Sequence, residues 1–287
     1  MNRLIVYLQL LRPKQWLKNL TLVFPPLFGG ELFDYEVLGR LIVPILIFCL
    51  ASSANYAFND VLDADKDALH PTKRFRPIPA GKVGKNIALL LSALLCAVAV
   101  GGALAVSWQF AVVTILYILL MSSYSIWLKH IVLLDIFVIA AGFLLRLEAG
   151  GMAAHVSISS WLFLSVFFLS VFLSGGKRLS EKMILCDVSA SSHRKTLALY
   201  PDFFLDGLML MTGTAALLTY ALYTVDHTHL LYTVPLCCLG LFRYLFWIKT
   251  GHSGDPTEAL LKDSLLTGIS IIWLLAVISQ KYWSILG

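Results

Sequence analysis

Asn55-Tyr56-Ala57-Phe58-Asn59-Asp60-Val61-Leu62-Asp63-Ala64-Asp65-Lys66-Asp67 is the stretch on which the reading of this 287-residue chain turns. It sets four carboxylates into eight residues at the end of a strongly apolar segment. On a helix at about 100° per residue, Asp60, Asp63 and Asp67 fall within roughly 60° of one another, with Asn59 slightly further round and Asp65 on the other side. Three carboxylates on one face repel each other, so the spacing implies a cation between them. Hard divalent cations take oxygen ligands, and Mg2+ typically shares its carboxylates with substrate phosphates. The next residues, His70-Pro71-Thr72-Lys73-Arg74-Phe75-Arg76-Pro77, form a basic turn suited to phosphate oxygens. An acidic helix end followed by a basic turn reads as a seat for a metal-bound diphosphate. The plainer alternative is a solvated helix end whose acids balance nearby Lys and Arg.

The rest of the chain says where that seat lies. The sequence is 59% hydrophobic and only 14% charged, more apolar surface than a soluble domain of this length needs, which implies an all-α, polytopic membrane protein. Nine apolar segments, at 20–36, 38–58, 86–106, 108–127, 131–151, 158–176, 203–225, 229–248 and 264–285, each approach the ~20 residues a helix needs to cross a bilayer. Pro25-Pro26 and Gly29-Gly30 interrupt the first. With the N-terminus placed in the cytoplasm, all the Lys and Arg except Arg40, Arg146 and Lys281 fall on that side, so the chain is expected in the inner (plasma) membrane, N-inside and C-outside, with an odd number of spans. No cleavable signal peptide is expected. The charge of +5 follows from this asymmetry and does not suggest nucleic acid. The five cysteines show no ligand spacing and read as packing.

Candidate chemistry collects on the inner side. Lys177-Arg178 and Glu181 leave the sixth span. A snorkelling collar explains such bases, and so does a second phosphate clamp facing the acidic helix, which Arg194 would join. Tyr124 and Lys129 close the fourth span, and Asp135, opening the fifth, needs a partner such as Lys129 or a loop Arg. Arg146 and Glu148, further along that span, read as structural residues paired with other helices. Lys14, Gln15, Lys18 and Asn19 are spaced to line one polar face at the border of a cytoplasmic cavity, and Asp255 is placed to cap a short helix.

The pattern Asn55-x3-Asn59-Asp60-x2-Asp63-x3-Asp67, followed by Lys73-Arg74-x-Arg76-Pro77, resembles the UbiA superfamily of intramembrane transferases. The resemblance covers the chain and implies one domain over 1–287, with about nine transmembrane helices around a central cavity that opens to the cytoplasmic side. It implies that Asn59, Asp60, Asp63 and Asp67 hold Mg2+ and a diphosphate, with Asn55 one turn earlier on the same face. Ordinary members carry a second Asp-x3-Asp pair after the sixth helix. Here Lys177-Arg178-x2-Glu181 stands in its place and Asp187 is alone. With Arg12-Pro13-Lys14-Gln15-Trp16-x-Lys18-Asn19 and Tyr124-x2-Trp127-Leu128-Lys129-His130, this looks like the branch that moves 5-phosphoribose from phosphoribosyl diphosphate to a decaprenyl-type polyprenyl phosphate.

The chemistry agrees with that branch. Mg2+ on Asp60, Asp63 and Asp67 neutralises the leaving diphosphate, and Lys14, Lys18, Lys73, Arg74, Arg76, Tyr124, Lys129, Lys177, Arg178, Glu181 and Arg194 are the candidate substrate contacts. Two anionic substrates must meet, and a 5-phosphate and a lipid phosphate both want cations, so a basic second motif suits them. The rival is a prenyltransferase of the same fold acting on a prenyl diphosphate and an aromatic or quinone-precursor acceptor. A lipid-phosphate carrier without chemistry is a third possibility, although carriers place charges nearer the midplane on broken helices. Oligomeric state is not legible.

Overall fold

The computed structural model describes residues 3–69, 72–186, 195–225 and 228–286, and among these there are helices and no strands. The helices are α1 (Arg3–Leu11), α2 (Phe24–Gly29), α3 (Tyr35–Leu62), α4 (Ala64–Ala68), α5 (Lys85–Val106), α6 (Trp108–Ile126), α7 (Leu134–Ala154), α8 (Ser160–Cys186), α9 (Lys195–Ala198), α10 (Phe204–Val225), α11 (Val234–Lys249), α12 (Pro256–Lys262) and α13 (Ser264–Leu286). Eight of them, α3, α5, α6, α7, α8, α10, α11 and α13, contain segments long and apolar enough to cross a membrane, the seventh segment beginning at Leu230. Outward-facing Ile42, Leu46, Leu90, Leu94, Leu116, Leu119, Ile271 and Leu275 are exposed. A chain with this many apolar spans clothed in aliphatic side chains is a multi-pass membrane protein.

The expected first span differs. No single helix covers 20–36; a 3-10 helix, Pro13–Val23, runs into α2 instead. Pro25 and Pro26 have no N–H and are tolerated in the first turn of α2. Gly30, at φ 86°, ends α2 in the left-handed region. The composite still has reach: eleven 3-10 residues and six α residues extend roughly 31 Å at about 2.0 and 1.5 Å per residue. It lies antiparallel to α3, with Arg12 against Asp60, Trp16 against Ser53 and Asn19 against Ser52.

The long helices alternate in direction and close a ring. Neighbours α3–α5, α3–α6, α6–α7, α7–α8, α8–α10, α10–α11 and α11–α13 pack together, and the N-terminal composite lies on α3 and α7. Tyr282 on α13 seals the ring, donating to the carbonyls of Pro26 and Leu27 and accepting from the N–H of Leu32. Close packing needs small residues where backbones touch. At Gly150 of α7, an added Cβ would lie 2.1 Å from the carbonyl oxygen of Leu22. Alternation brings the C-termini of α3, α6, α8 and α11 and the N-termini of α5, α7, α10 and α13 to one end of the ring. That end carries the polar groups.

Deeper in the ring, Arg146 is buried and donates to Asn19 Oδ1, the Gly142 carbonyl and Tyr117 Oη. It therefore joins other elements as expected, but through neutral acceptors. Glu148 corrects the companion expectation. Among the described residues it lines an apolar groove with Leu116, Leu120, Leu144, Leu145 and Phe163 and pairs with no other helix.

Candidate active site

The acidic motif is nearly one helix. α3 ends at Leu62 and Asp63 caps it, yet the backbone bonds Asp63 N–H to Asn59 C=O and Asp67 N–H to Asp63 C=O continue into α4. The three carboxylates consequently stay on one side of the chain, but they do not form one cage. Asp60 and Asp67 converge on Arg76, whose Nη1 lies 3.2 Å from Asp60 Oδ1 and 2.5 Å from Asp67 Oδ2. Asp60, 1% exposed, also takes Arg12 Nη2 at 2.5 Å. Asp63 turns to Lys129, whose Nζ lies 2.7 Å from its Oδ1 and 3.2 Å from Asn59 Oδ1. Among the described residues no three His, Cys, Asp or Glu side chains are grouped to hold a metal. The cations between the acids are this chain's own arginines and lysine.

One oxygen stands apart. Asp60 Oδ2 is buried without a hydrogen-bond partner, and a desolvated, unpartnered carboxylate oxygen is costly unless a cation or donor meets it. Mg2+ needs only one or two protein carboxylates beside substrate phosphate oxygens. The donor set therefore fits such an ion. Arg76 is held below its ordinary arginine range by burial and by the facing Arg12, against the pull of Asp60 and Asp67. Arg12 adopts a left-handed backbone, φ 52°, uncommon for a non-glycine residue and costly immediately before a proline. The break it makes between α1 and the 3-10 helix aims its guanidinium at Asp60.

The second cluster divides neighbours. Lys177, Arg178 and Glu181 are not in a loop, because α8 continues to Cys186. Arg178, 1% exposed, belongs to the protein interior. Its Nη1 donates to Glu181 at 2.5 Å and its Nη2 to Tyr124 Oη at 2.6 Å. Its Nε lies 2.7 Å from Asp135 Oδ2 without a hydrogen-bonding alignment, an ion pair by proximity. Asp135 thus finds Arg178, not Lys129, and Glu181 makes its ion pair with Arg178. Tyr200 completes the network, donating to Asp135 Oδ1 and accepting from the Leu133 N–H. Burial and that carboxylate push its phenol up. Arg178 and Glu181 therefore lock α6, α7 and α8 together and orient Tyr124.

Lys177 faces elsewhere, within electrostatic reach of Asp255 and Lys18. Asp255 caps α12 as expected, its Oδ1 accepting the N–H groups of Thr257 and Glu258, while its Oδ2 lies 3.6 Å from Lys18 Nζ. Burial alone would raise this carboxyl; Lys18, Lys177 and the backbone outweigh it and hold it at about 2. Tyr56 lies within the fields of Arg12, Asp60, Arg146 and Asp255, so charges of both clusters act on one tyrosine.

Other candidates lie apart from both clusters. Lys14 is exposed, Arg74 is exposed with its guanidinium over the Phe75 ring, and Lys73 is half-buried on the same 3-10 turn. Asn55 is a packing residue, its amide donating to the Ala51 carbonyl and its oxygen accepting from Ser122 of α6. Arg194 and Asp187 lie outside the described residues. Sequence reasoning did not single out Arg12 as a partner of Asp60, and it assigned Asp255 no role beyond capping. The only signals were an Arg before a Pro and an Asp before a Pro.

A helical ring with acids and bases gathered at one membrane edge is the architecture of a multi-pass membrane transferase, and comparison with known proteins agrees. The model of the UbiA prenyltransferase family matches residues 32–266. Decaprenyl-phosphate phosphoribosyltransferase of Mycolicibacterium smegmatis is 34% identical over 95% of this chain and 91% of its own. The protein of that name from Corynebacterium glutamicum is 32% identical over 95% and 85%. Among solved structures, a UbiA homolog from Archaeoglobus fulgidus bound to GPP and Mg2+ superposes with a TM-score of 0.72 at 19% identity, covering 96% of this chain and 98% of that one. The chain belongs to the UbiA prenyltransferase family.

Proposed function

We propose that this protein transfers 5-phosphoribose from phosphoribosyl diphosphate to a decaprenyl-type polyprenyl phosphate. One observation carries the reading: one charge cluster is built on carboxylates, at Asp60 and Asp67, and in the other cations outnumber carboxylates, at Lys18, Lys177 and Asp255. A substrate pair bearing one diphosphate and two phosphomonoesters calls for both. The names of the near-full-length relatives support the same choice.

In the reaction, the bond from ribose C1 to the diphosphate oxygen breaks and its electron pair leaves with the diphosphate. A bond forms between C1 and an oxygen of the lipid phosphate. That oxygen is already anionic at neutral pH, so no general base is required. Asn59, Asp60, Asp63 and Asp67 are the residues that would hold Mg2+, whose chemistry is to neutralise the leaving diphosphate. Arg76 and Arg12, now resting on Asp60 and Asp67, are placed to exchange a carboxylate for diphosphate oxygens. Lys129 holds Asp63 and Asn59 in position.

The proposal extends to placement in the membrane. The composite of the 3-10 helix and α2 is the first of nine crossings, its roughly 31 Å matching the ~30 Å hydrocarbon core. The N-terminus and the polar end of the ring face the cytoplasm, because the bases gather there. The test is a membrane assay with radiolabelled phosphoribosyl diphosphate, Mg2+ and a polyprenyl phosphate. Lipid-extractable label that disappears with EDTA is the expected result. No label, from membranes that consume a prenyl diphosphate and an aromatic acceptor, would make the protein a prenyltransferase.

A further inference from the structure

We infer that Lys18 and Lys177, held in place by Asp255, form a subsite for a phosphomonoester, apart from the Asp60 end that takes the diphosphate; the choice of ligand rests on the function proposed above. The ribose 5-phosphate of the donor and the head of the lipid acceptor share this group.

Lys177 is the starting point. It is half-buried and desolvated, and its neighbours in charge are Asp255, Glu181, Lys18 and Arg178. The carboxylate nearest along its own helix, Glu181, is committed to Arg178 at 2.5 Å. Asp255 has spent Oδ1 on two backbone amides, and its Oδ2 lies 3.6 Å from Lys18, beyond a good hydrogen bond. Lys18 and Lys177 therefore lie in the field of one carboxylate, which Gln15 also meets, and among the described contacts neither ammonium has an acid within 3.5 Å. Arg146 adds a third cation that Lys18 feels, and its described acceptors are neutral. Three cations against one carboxylate leave a surplus of two charges in a desolvated place, which is expensive without an anion. A phosphomonoester carries about −1.5 to −2 at neutral pH and three acceptor oxygens.

The arrangement is built rather than incidental. At Gly254 a Cβ would meet the Gly176 carbonyl oxygen at 2.5 Å and Lys177 Cα at 2.7 Å, so only glycine lets this loop lie on α8. Gly254 N–H donates to Ser180 Oγ, Ser180 Oγ donates to the His252 carbonyl, and Tyr244 Oη donates to the Gly254 carbonyl. These bonds fix Asp255 beside Lys177, and the N-terminal 3-10 helix brings Lys18 from a third direction. Asp255 is a positioning residue: its carboxylate lies 3.6 Å from Lys18 and within the field of Lys177.

The test measures binding of ribose 5-phosphate and of a polyprenyl monophosphate, separately, to the full chain in detergent. Lys177→Gln and Lys18→Gln should each weaken one and the same phosphomonoester by about tenfold or more, the scale of a charge-assisted hydrogen bond, and leave the other within about twofold. That substrate names the source, and its KM should rise in the transfer assay while kcat holds. Asp255→Asn keeps a capping side chain and should weaken the same ligand by less. Asp60→Asn should bind it as the unaltered chain does. Unchanged binding of both monoesters by both lysine variants would overturn the subsite, as would equal losses of both ligands that track lost folded protein. Lys177-dependent binding in a chain that transfers no phosphoribose would remove the proposed function and leave the subsite standing.

Discussion

The end of α3 and the end of α8 handle charge in opposite ways. At α3, Asp60, Asp63 and Asp67 are each met by a cation of the chain within hydrogen-bonding distance. At the end of α8, Lys177 lies with Lys18 of the 3-10 helix in the field of a single carboxylate, 3.6 Å from Lys18. The first end is balanced by partners that a metal-bound diphosphate can displace, and the second is left short of an anion. Adjacent residues make the same contrast within one helix turn. Arg178 is wrapped in Asp135, Glu181 and Tyr124, whereas Lys177, roughly 100° round the helix, lies in the field of Asp255 and Lys18.

The largest effect is expected at Asp60. Asp60→Asn keeps the shape but removes the charge that Arg12 and Arg76 share, and transfer should fall by on the order of 10²–10³-fold or more in the labelled-lipid assay. Activity within a fewfold of normal would take Asp60 out of the metal end. Arg178→Met should act on stability instead. It strands Asp135, 2% exposed in this pair, at a cost of about 3–5 kcal/mol, seen as a lower thermal midpoint in detergent; Asp135→Asn in the same chain should recover part of it. Should Arg178→Met raise KM with the midpoint unmoved, the division between Arg178 and Lys177 would be reversed.

Smaller effects sharpen the frame around the two ends. Gly150→Ala forces the Leu22 backbone away from α7 and should destabilise by about 1–3 kcal/mol, again read from thermal unfolding. Asp255 gives the smallest, pH-dependent effect. Its folded value of about 2 lies below the unfolded one, so its contribution is full above the ordinary aspartate range near ~3.9 and is lost as pH falls toward the folded value. The stability difference between the unaltered chain and Asp255→Asn should be flat at neutral pH and shrink in acid. A difference that grows in acid contradicts the placement of Lys18 and Lys177 beside it.

Much of this was legible in the sequence, for physical reasons that differ by element. Long apolar runs can do little but span, so the later eight segments read correctly to within a few residues, except that the sixth runs ten residues past 176, to Cys186. The first, expected as a helical span over 20–36, is instead a 3-10 helix joined to α2, because its prolines and glycines announce a break without saying what bridges it. The acidic face was visible because helical periodicity carries through Asp63. Its partners were not, since Arg12 reaches Asp60 across 48 residues and Lys129 reaches Asp63 across 66. Nor does the sequence distinguish Lys177 from Arg178, because which of two neighbours turns inward depends on what α6 and α7 present.

The most direct measurement is transfer of labelled phosphoribose by the unaltered chain, Asp60→Asn and Lys177→Gln, each with donor and acceptor varied in turn. The account predicts that Asp60→Asn stays slow by on the order of 10²-fold or more at every concentration, while Lys177→Gln regains its rate when one phosphorylated substrate, and only one, is raised. Rescue of Asp60→Asn by substrate, or a Lys177→Gln defect that neither substrate repairs, would contradict it.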